Sequence, residues 1–267
     1  MKIAFWSNSR GQAGVTTNLA VVSILRALRG ESPCIVLENH FNLNNLENIF
    51  LSKSYVEGMV CEKENYIFHM GLEYLMRNVY GTQEKKSLIQ RAAVPVLDSR
   101  ILYLPQSPIV NREVFSYEFS QVMYPLFQCL EEVGEHIFID TEVNDNLSSK
   151  LILEEADLVV VNLNQNPRFV EDFFRNYSSL RSKCVFIIGN YRENSRYDVE
   201  KIRAQYRIPK SRIGVIPFDM DMGDAIAEGR LIGFLSRGCF RGRRKDAFSK
   251  ALHGTVDMIE KYIHIVE

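Results

Sequence analysis

The chain has 267 residues, 46% hydrophobic and 24% charged, with a formal net charge of −1. That apolar share supports a sizeable core and excludes a disordered chain, while the near-zero charge gives no overall pull toward nucleic acid or acidic lipid. No apolar run reaches the roughly 18 residues of a membrane span. The first residues open a strand directly, so a soluble, cytoplasmic protein is expected.

Taken in chain order, short β-rich runs alternate with helical stretches. The runs are KIAFW (Lys2–Trp6), CIVLE (Cys34–Glu38), ILYLP (Ile101–Pro105), HIFID (His136–Asp140), LVVVNL (Leu158–Leu163), CVFIIGN (Cys184–Asn190) and IGVIPF (Ile213–Phe218). Most are near-continuously apolar, which suits strands covered on both faces. The alternation predicts an α/β fold, a doubly wound and mostly parallel sheet with helices on both faces, in one domain spanning 1–267. Ligands in such sheets sit at the carboxyl ends of the strands. In the longer section from Asn39 to Arg100, GLEYLMRNVYG reads as a helix closed by Gly81 and KKSLIQRAAV as a second. The five cysteines, Cys34, Cys61, Cys129, Cys184 and Cys239, form no CxxC pair and read as reduced, partly buried thiols.

Between the first strand and an apolar helical run lies SNSRGQAGVTTNLA, Ser7–Ala20. Gly11 and Gly14 allow a tight turn and close approach to a phosphate. The amides of Gly14, Val15, Thr16 and Thr17 open the following helix, where unpaired N–H groups and the helix dipole favour an anion. The Thr16 hydroxyl is placed to ligate magnesium, and Thr17 to hydrogen-bond a phosphate. Trp6, beside the loop, is expected to pack against it.

RGQAGVTTNLA resembles KGGxGKTTxxxN, the deviant phosphate loop of the MinD/ParA superfamily of P-loop ATPases. The resemblance puts Arg10 at the family's signature lysine, which contacts nucleotide phosphate across a dimer interface, and matches Gly11, Gly14, Thr16 and Thr17. Gln12 replaces a glycine, and Val15 replaces the lysine that grips the β- and γ-phosphates, so the Walker A motif is degenerate. Losing that ammonium removes a charge-assisted contact of about 1.5–3 kcal/mol. Transition-state stabilisation suffers more than binding, and the Arg10 guanidinium restores part of the loss.

Further segments follow in the family's order. ENHFNLNNLE resembles switch I, with Glu38 and His40 at the two aspartate positions of D-x-D, so His40 stands where the family positions attacking water. HIFIDTE resembles the Walker B strand, with Asp140 holding magnesium opposite Thr16 and Glu142 in place of a proline. Asn190, ending CVFIIGN, stands at an adenine-binding asparagine. Pro217, Phe218 and Asp219 resemble the adenine-side I-P-x-D loop.

The resemblance runs from Lys2 to about Ala251 and implies a homodimer binding ATP with Mg2+, its hydrolysis slow or absent. The looser likeness to the TadZ/CpaE branch implies a localisation or assembly factor for Tad-type pilus or secretion machinery, at a cell pole or membrane-associated assembly, with protein partners there. The alternative is an active ParA/MinD ATPase for DNA partition or division-site placement. For DNA, the cluster Arg237, Arg241, Arg243, Arg244 and Lys245 could contact phosphates, or simply be a solvated helix start. The tail MIEKYIHIVE matches a basic membrane helix poorly. A redox ATPase of the iron-protein kind would need cysteines close after Asp140, and none stands there.

Overall fold

The computed structural model describes residues 1–42, 45–51, 70–81, 84–106, 111–143, 146–240 and 247–266. The strands are β1 (Lys2–Trp6), β2 (Cys34–Glu38), β3 (Val94–Val96), β4 (Ile101–Tyr103), β5 (His136–Asp140), β6 (Leu158–Leu163), β7 (Cys184–Tyr191) and β8 (Ile213–Pro217). Among the described residues they form one eight-stranded sheet in the order β3-β4-β2-β5-β1-β6-β7-β8. Every pairing is parallel except that of β3 with β4. The sheet is therefore the mostly parallel one the alternation predicts.

The helices are α1 (Val15–Arg29), α2 (Leu46–Phe50), α3 (Gly71–Asn78), α4 (Lys85–Ala92), α5 (Arg112–Glu131), α6 (Leu147–Glu155), α7 (Pro167–Asn176), α8 (Val199–Tyr206), α9 (Met220–Ala227), α10 (Leu231–Phe240) and α11 (Ala247–Val266). They cover both faces of the sheet. The strand period of two divides even a wholly apolar run between two cores. Ile3 and Phe5 join the core under α1, α10 and α11, whereas Ala4 and Trp6 join the core under α5, α6 and α7. None of the described helices is long and apolar enough to cross a membrane.

One sequence expectation needs correction. KKSLIQRAAV is not helical to its end: α4 stops at Ala92 and Val94–Val96 forms an edge strand. Pro95 lies exposed in the middle of that strand, and an edge position tolerates its missing N–H. Trp6, expected beside the loop before α1, lines one cavity with the loop residue Asn8. Its ring lies 4.8 Å from that of Tyr177, on the other face of the sheet.

Cys34, Cys129 and Cys184 are free and buried. Burial pushes the Cys34 thiol up to about 11 and the Cys184 thiol up to about 12. The thiolate is the reactive form. Alkylation followed by peptide mass mapping should leave these two unlabelled in the folded protein and label them quickly in denaturant.

Candidate nucleotide site

The topology puts the loop after β1 at the centre of the carboxyl edge. β1 lies between β5 and β6, so the chain runs to one side of it for β2 through β5 and to the other for β6 through β8. This is the switch point where open α/β sheets leave a crevice.

The loop is fixed by its own polar groups. Ser9 N donates to Ser7 Oγ at 3.0 Å, and Asn8 Nδ2 donates to Phe169 O and to Asp172 Oδ2, each at 2.8 Å. Asn18 Nδ2 donates to Ala13 O at 3.0 Å and to Asn162 Oδ1 at 2.8 Å, pinning the loop to α1 and β6. Gly11 and Gly14 both lie in the left-handed region, at φ 68° and 67°, where a side chain would be strained. Gly14 is the N-cap of α1, no side chain caps that terminus, and the first turn carries no acid. Its N–H groups are thus available to an anion.

A cavity of about 340 Å³ opens over this terminus, lined by Arg10, Gly11, Gly14, Val15, Thr16, His40 and Asp140 together with Ala13, Asn42, Thr141, Glu142 and Val143. The structure therefore brings the phosphate-side residues of the sequence reading together. Thr17 sits half-buried in the same first turn. Arg10 is exposed at the rim and makes no ion pair among the described residues. Val15 packs against the apolar core under α1.

The base-side residues do not line this cavity. Asn190, itself at φ 49°, brings its Nδ2 to within 3.6 Å of where a Gly14 Cβ would stand. Pro217 ends β8 opposite Tyr191, and Phe218 is half exposed under the Arg192 guanidinium, 5.2 Å from its ring centre. Asp219 accepts from Met222 N at 2.7 Å and so caps α9. Of the basic cluster, Arg237 is exposed on α10, and Arg241, Arg243, Arg244 and Lys245 lie outside the described residues.

Below the loop is a buried charged group. His40 Nε2 lies 2.8 Å from Asp140 Oδ2, 3.4 Å from Thr16 Oγ1 and 3.6 Å from Glu38 Oε2. Burial pulls the His40 imidazolium down, but Asp140, Glu38 and Glu142 outweigh it and hold the group up to about 9. Burial pushes the Glu38 carboxyl up to about 7 against the opposing pull of His40. Tyr103 OH donates to Glu38 Oε1 at 2.8 Å and Leu46 N to Oε2 at 3.1 Å. Asn42 N approaches His40 Nδ1 at 3.4 Å, a contact that needs the neutral ring. It is long, and the 2.8 Å bond to Asp140 outweighs it. In either protonation state Nε2 keeps its proton and donates toward Asp140.

Thr16 and Asp140, the pair expected to hold magnesium, both lie in contact with the His40 nitrogen. Magnesium requires an octahedron of oxygens at about 2.0–2.1 Å. With an imidazole nitrogen in contact with both, these side chains as placed do not form that all-oxygen shell.

Three structural residues were not singled out from the sequence. Asn162 is fully buried in β6, and a polar residue inside LVVVNL was its signal. Asn39 accepts from Glu142 N at 2.7 Å through its Oδ1 and donates through Nδ2 to Ser148 Oγ at 3.2 Å, joining the segments after β2 and β5. Gly189 lies so near the loop that a Cβ there would stand 2.2 Å from Ala13 O. Gly189→Ala is expected to displace the loop and cost about 1–3 kcal/mol, read as a lower urea midpoint.

With the loop, the switch-point crevice and the strand order together, the fold is that of the MinD/ParA type of P-loop NTPase. The chain is similar in structure to a ParA family ATPase from Chlorobium tepidum TLS, with 15% identity, 96% of this chain and 98% of that one covered, and a TM-score of 0.68. It is similar to the septum site-determining protein MinD of Pyrococcus horikoshii OT3 in complex with Mg-ADP, at 14% identity, 100% and 98% coverage and a TM-score of 0.69. A third is a plasmid partition protein of Borrelia burgdorferi B31 bound to AMPPNP, at 12% identity, 97% and 98% coverage and a TM-score of 0.63. No protein-family model and no curated protein matches the chain.

Proposed function

We propose that the chain is a MinD/ParA-like nucleotide-binding protein in which ATP acts as a conformational ligand and hydrolysis is slow or lost. It would work as a homodimeric localisation or assembly factor, with the TadZ/CpaE-like pilus and secretion machinery as its setting. One observation carries the reading: a glycine-built, uncapped helix N-terminus shares a single cavity with Arg10, while Val15 and His40 stand where hydrolysis needs a lysine and an aspartate. Bound nucleotides in two structural neighbours, Mg-ADP and AMPPNP, support the ligand class.

In this reading the backbone N–H groups of Gly14 to Thr17 and the guanidinium of Arg10 hold the phosphates. Asn190 and the Pro217–Phe218 turn hold the base at the loop's other side. Among the described residues no lysine lines this cavity to place its charge on the transferring phosphoryl group.

A second reading, an active ATPase for partition or division placement, is favoured by the neighbours' own activities and by Asp140 under the loop. The test is calorimetric titration with ATP, with molar mass followed by light scattering before and after nucleotide. Saturable binding that changes the dimer fraction supports the first reading. Steady phosphate release at the rate of active ATPases favours the second, and absence of binding at millimolar ATP removes both.

A further inference from the structure

We propose that His40 takes the place of a divalent cation, so that this site receives a metal-free polyphosphate and admits a metal ion only when His40 is replaced. The inference rests on the nucleotide reading above and concerns how the phosphate is received.

An atom in contact with several oxygen donors occupies the point from which a cation would contact them. His40 Nε2 does this for Asp140 Oδ2, Thr16 Oγ1 and Glu38 Oε2, at 2.8, 3.4 and 3.6 Å. The ring is only 2% exposed, so burial and the bond to Asp140 hold it in place. Its Nε2–H gives Asp140 the partner that a metal-bound water would otherwise supply. Thr16 Oγ1 then accepts weakly from His40, which leaves its own proton free to donate to a phosphate oxygen.

The cavity carries charges of both signs. Glu142 also lines the cavity, so Asp140 and Glu142 would repel a bare phosphate. Nε2–H covers Asp140 from within, and Arg10 offers its charge from the rim. Glu38, His40 and Asp140 also form a possible ligand set for a metal that accepts nitrogen, since their donor atoms lie within 4.8 Å of one another. Direct use of that set would require Nε2 to give up its proton and its bond to Asp140.

The deciding experiment compares ATP affinity of the wild-type protein in EDTA and in excess magnesium. Equal affinity, within about twofold, is expected, whereas magnesium-dependent tightening of tenfold or more would overturn the proposal. His40→Asp should reverse the behaviour, weakening ATP at least tenfold in EDTA and recovering it with magnesium.

A second arm uses manganese alone, followed by electron paramagnetic resonance, and needs no nucleotide. His40→Asp should gain a manganese site that the wild type lacks. Stoichiometric manganese binding by the wild type, lost in His40→Ala, would make His40 a metal ligand and overturn the proposal. Should ATP bind under no condition, the nucleotide reading fails, and the manganese arm still decides what stands against Thr16 and Asp140.

Discussion

Glu260→Ala is expected to destabilise the protein by about 3–5 kcal/mol, lowering the thermal midpoint by on the order of 10 °C. Arg26 on α1 is 1% exposed and pairs through its Nε with Glu260 on α11, and its second nitrogen lies 3.3 Å from Glu260 Oε2. The guanidinium also sits 5.0 Å over the Phe138 ring and 3.4 Å from His136 Nδ1. Alanine at 260 leaves that cation buried without its carboxylate, which costs far more than the pair contributes. The double variant Arg26→Met with Glu260→Leu removes both charges and should recover most of the loss. Thermal melts of the single and double variants check this, and equal destabilisation by both would contradict it. The pair matters for the site because α1 carries the loop at one end and is tied to α11 at the other, where Arg29 Nη1 also reaches Asp257 at 2.6 Å.

Val15→Lys should tighten ATP binding by about 10- to 100-fold, the worth of one charge-assisted contact. The position is suited to it: Val15 is the first residue of α1, half-buried, and lines the cavity beside Arg10 and Thr16. Phosphate release is expected to stay slow in this variant, because His40 still occupies the switch I position and supplies no carboxylate to position water. Only Val15→Lys combined with His40→Asp should raise turnover. Titration of the single variant and phosphate release by both check the pair of statements. Fast turnover by Val15→Lys alone would show that the lysine was the sole deficit.

Much of the fold was readable because the strands are short apolar runs with helices between them, and their ends are marked by polar residues. β3 was hidden because three residues around a proline carry no periodic signal. That the residues expected on the phosphate side would cluster was readable, because they lie in one stretch plus two strand ends that the parallel order brings to one edge. The contact of His40 with both Thr16 and Asp140 was not readable. Alignment gives each residue a position in a motif, but only the packed side chains show that an imidazole reaches two other motifs. Gly189 was missed for a related reason: nothing in CVFIIGN tells how closely β7 approaches Ala13. Trp6 stands next to the loop in sequence, yet alternation along β1 sends its ring to the opposite face.

The most direct test of the central claim is to hold the wild-type protein with ATP at a concentration that calorimetry shows to be saturating, and to follow the nucleotide by chromatography over time. The account predicts saturable binding of ATP that stays intact. Steady conversion to ADP with released phosphate, or no binding at millimolar ATP, would contradict it.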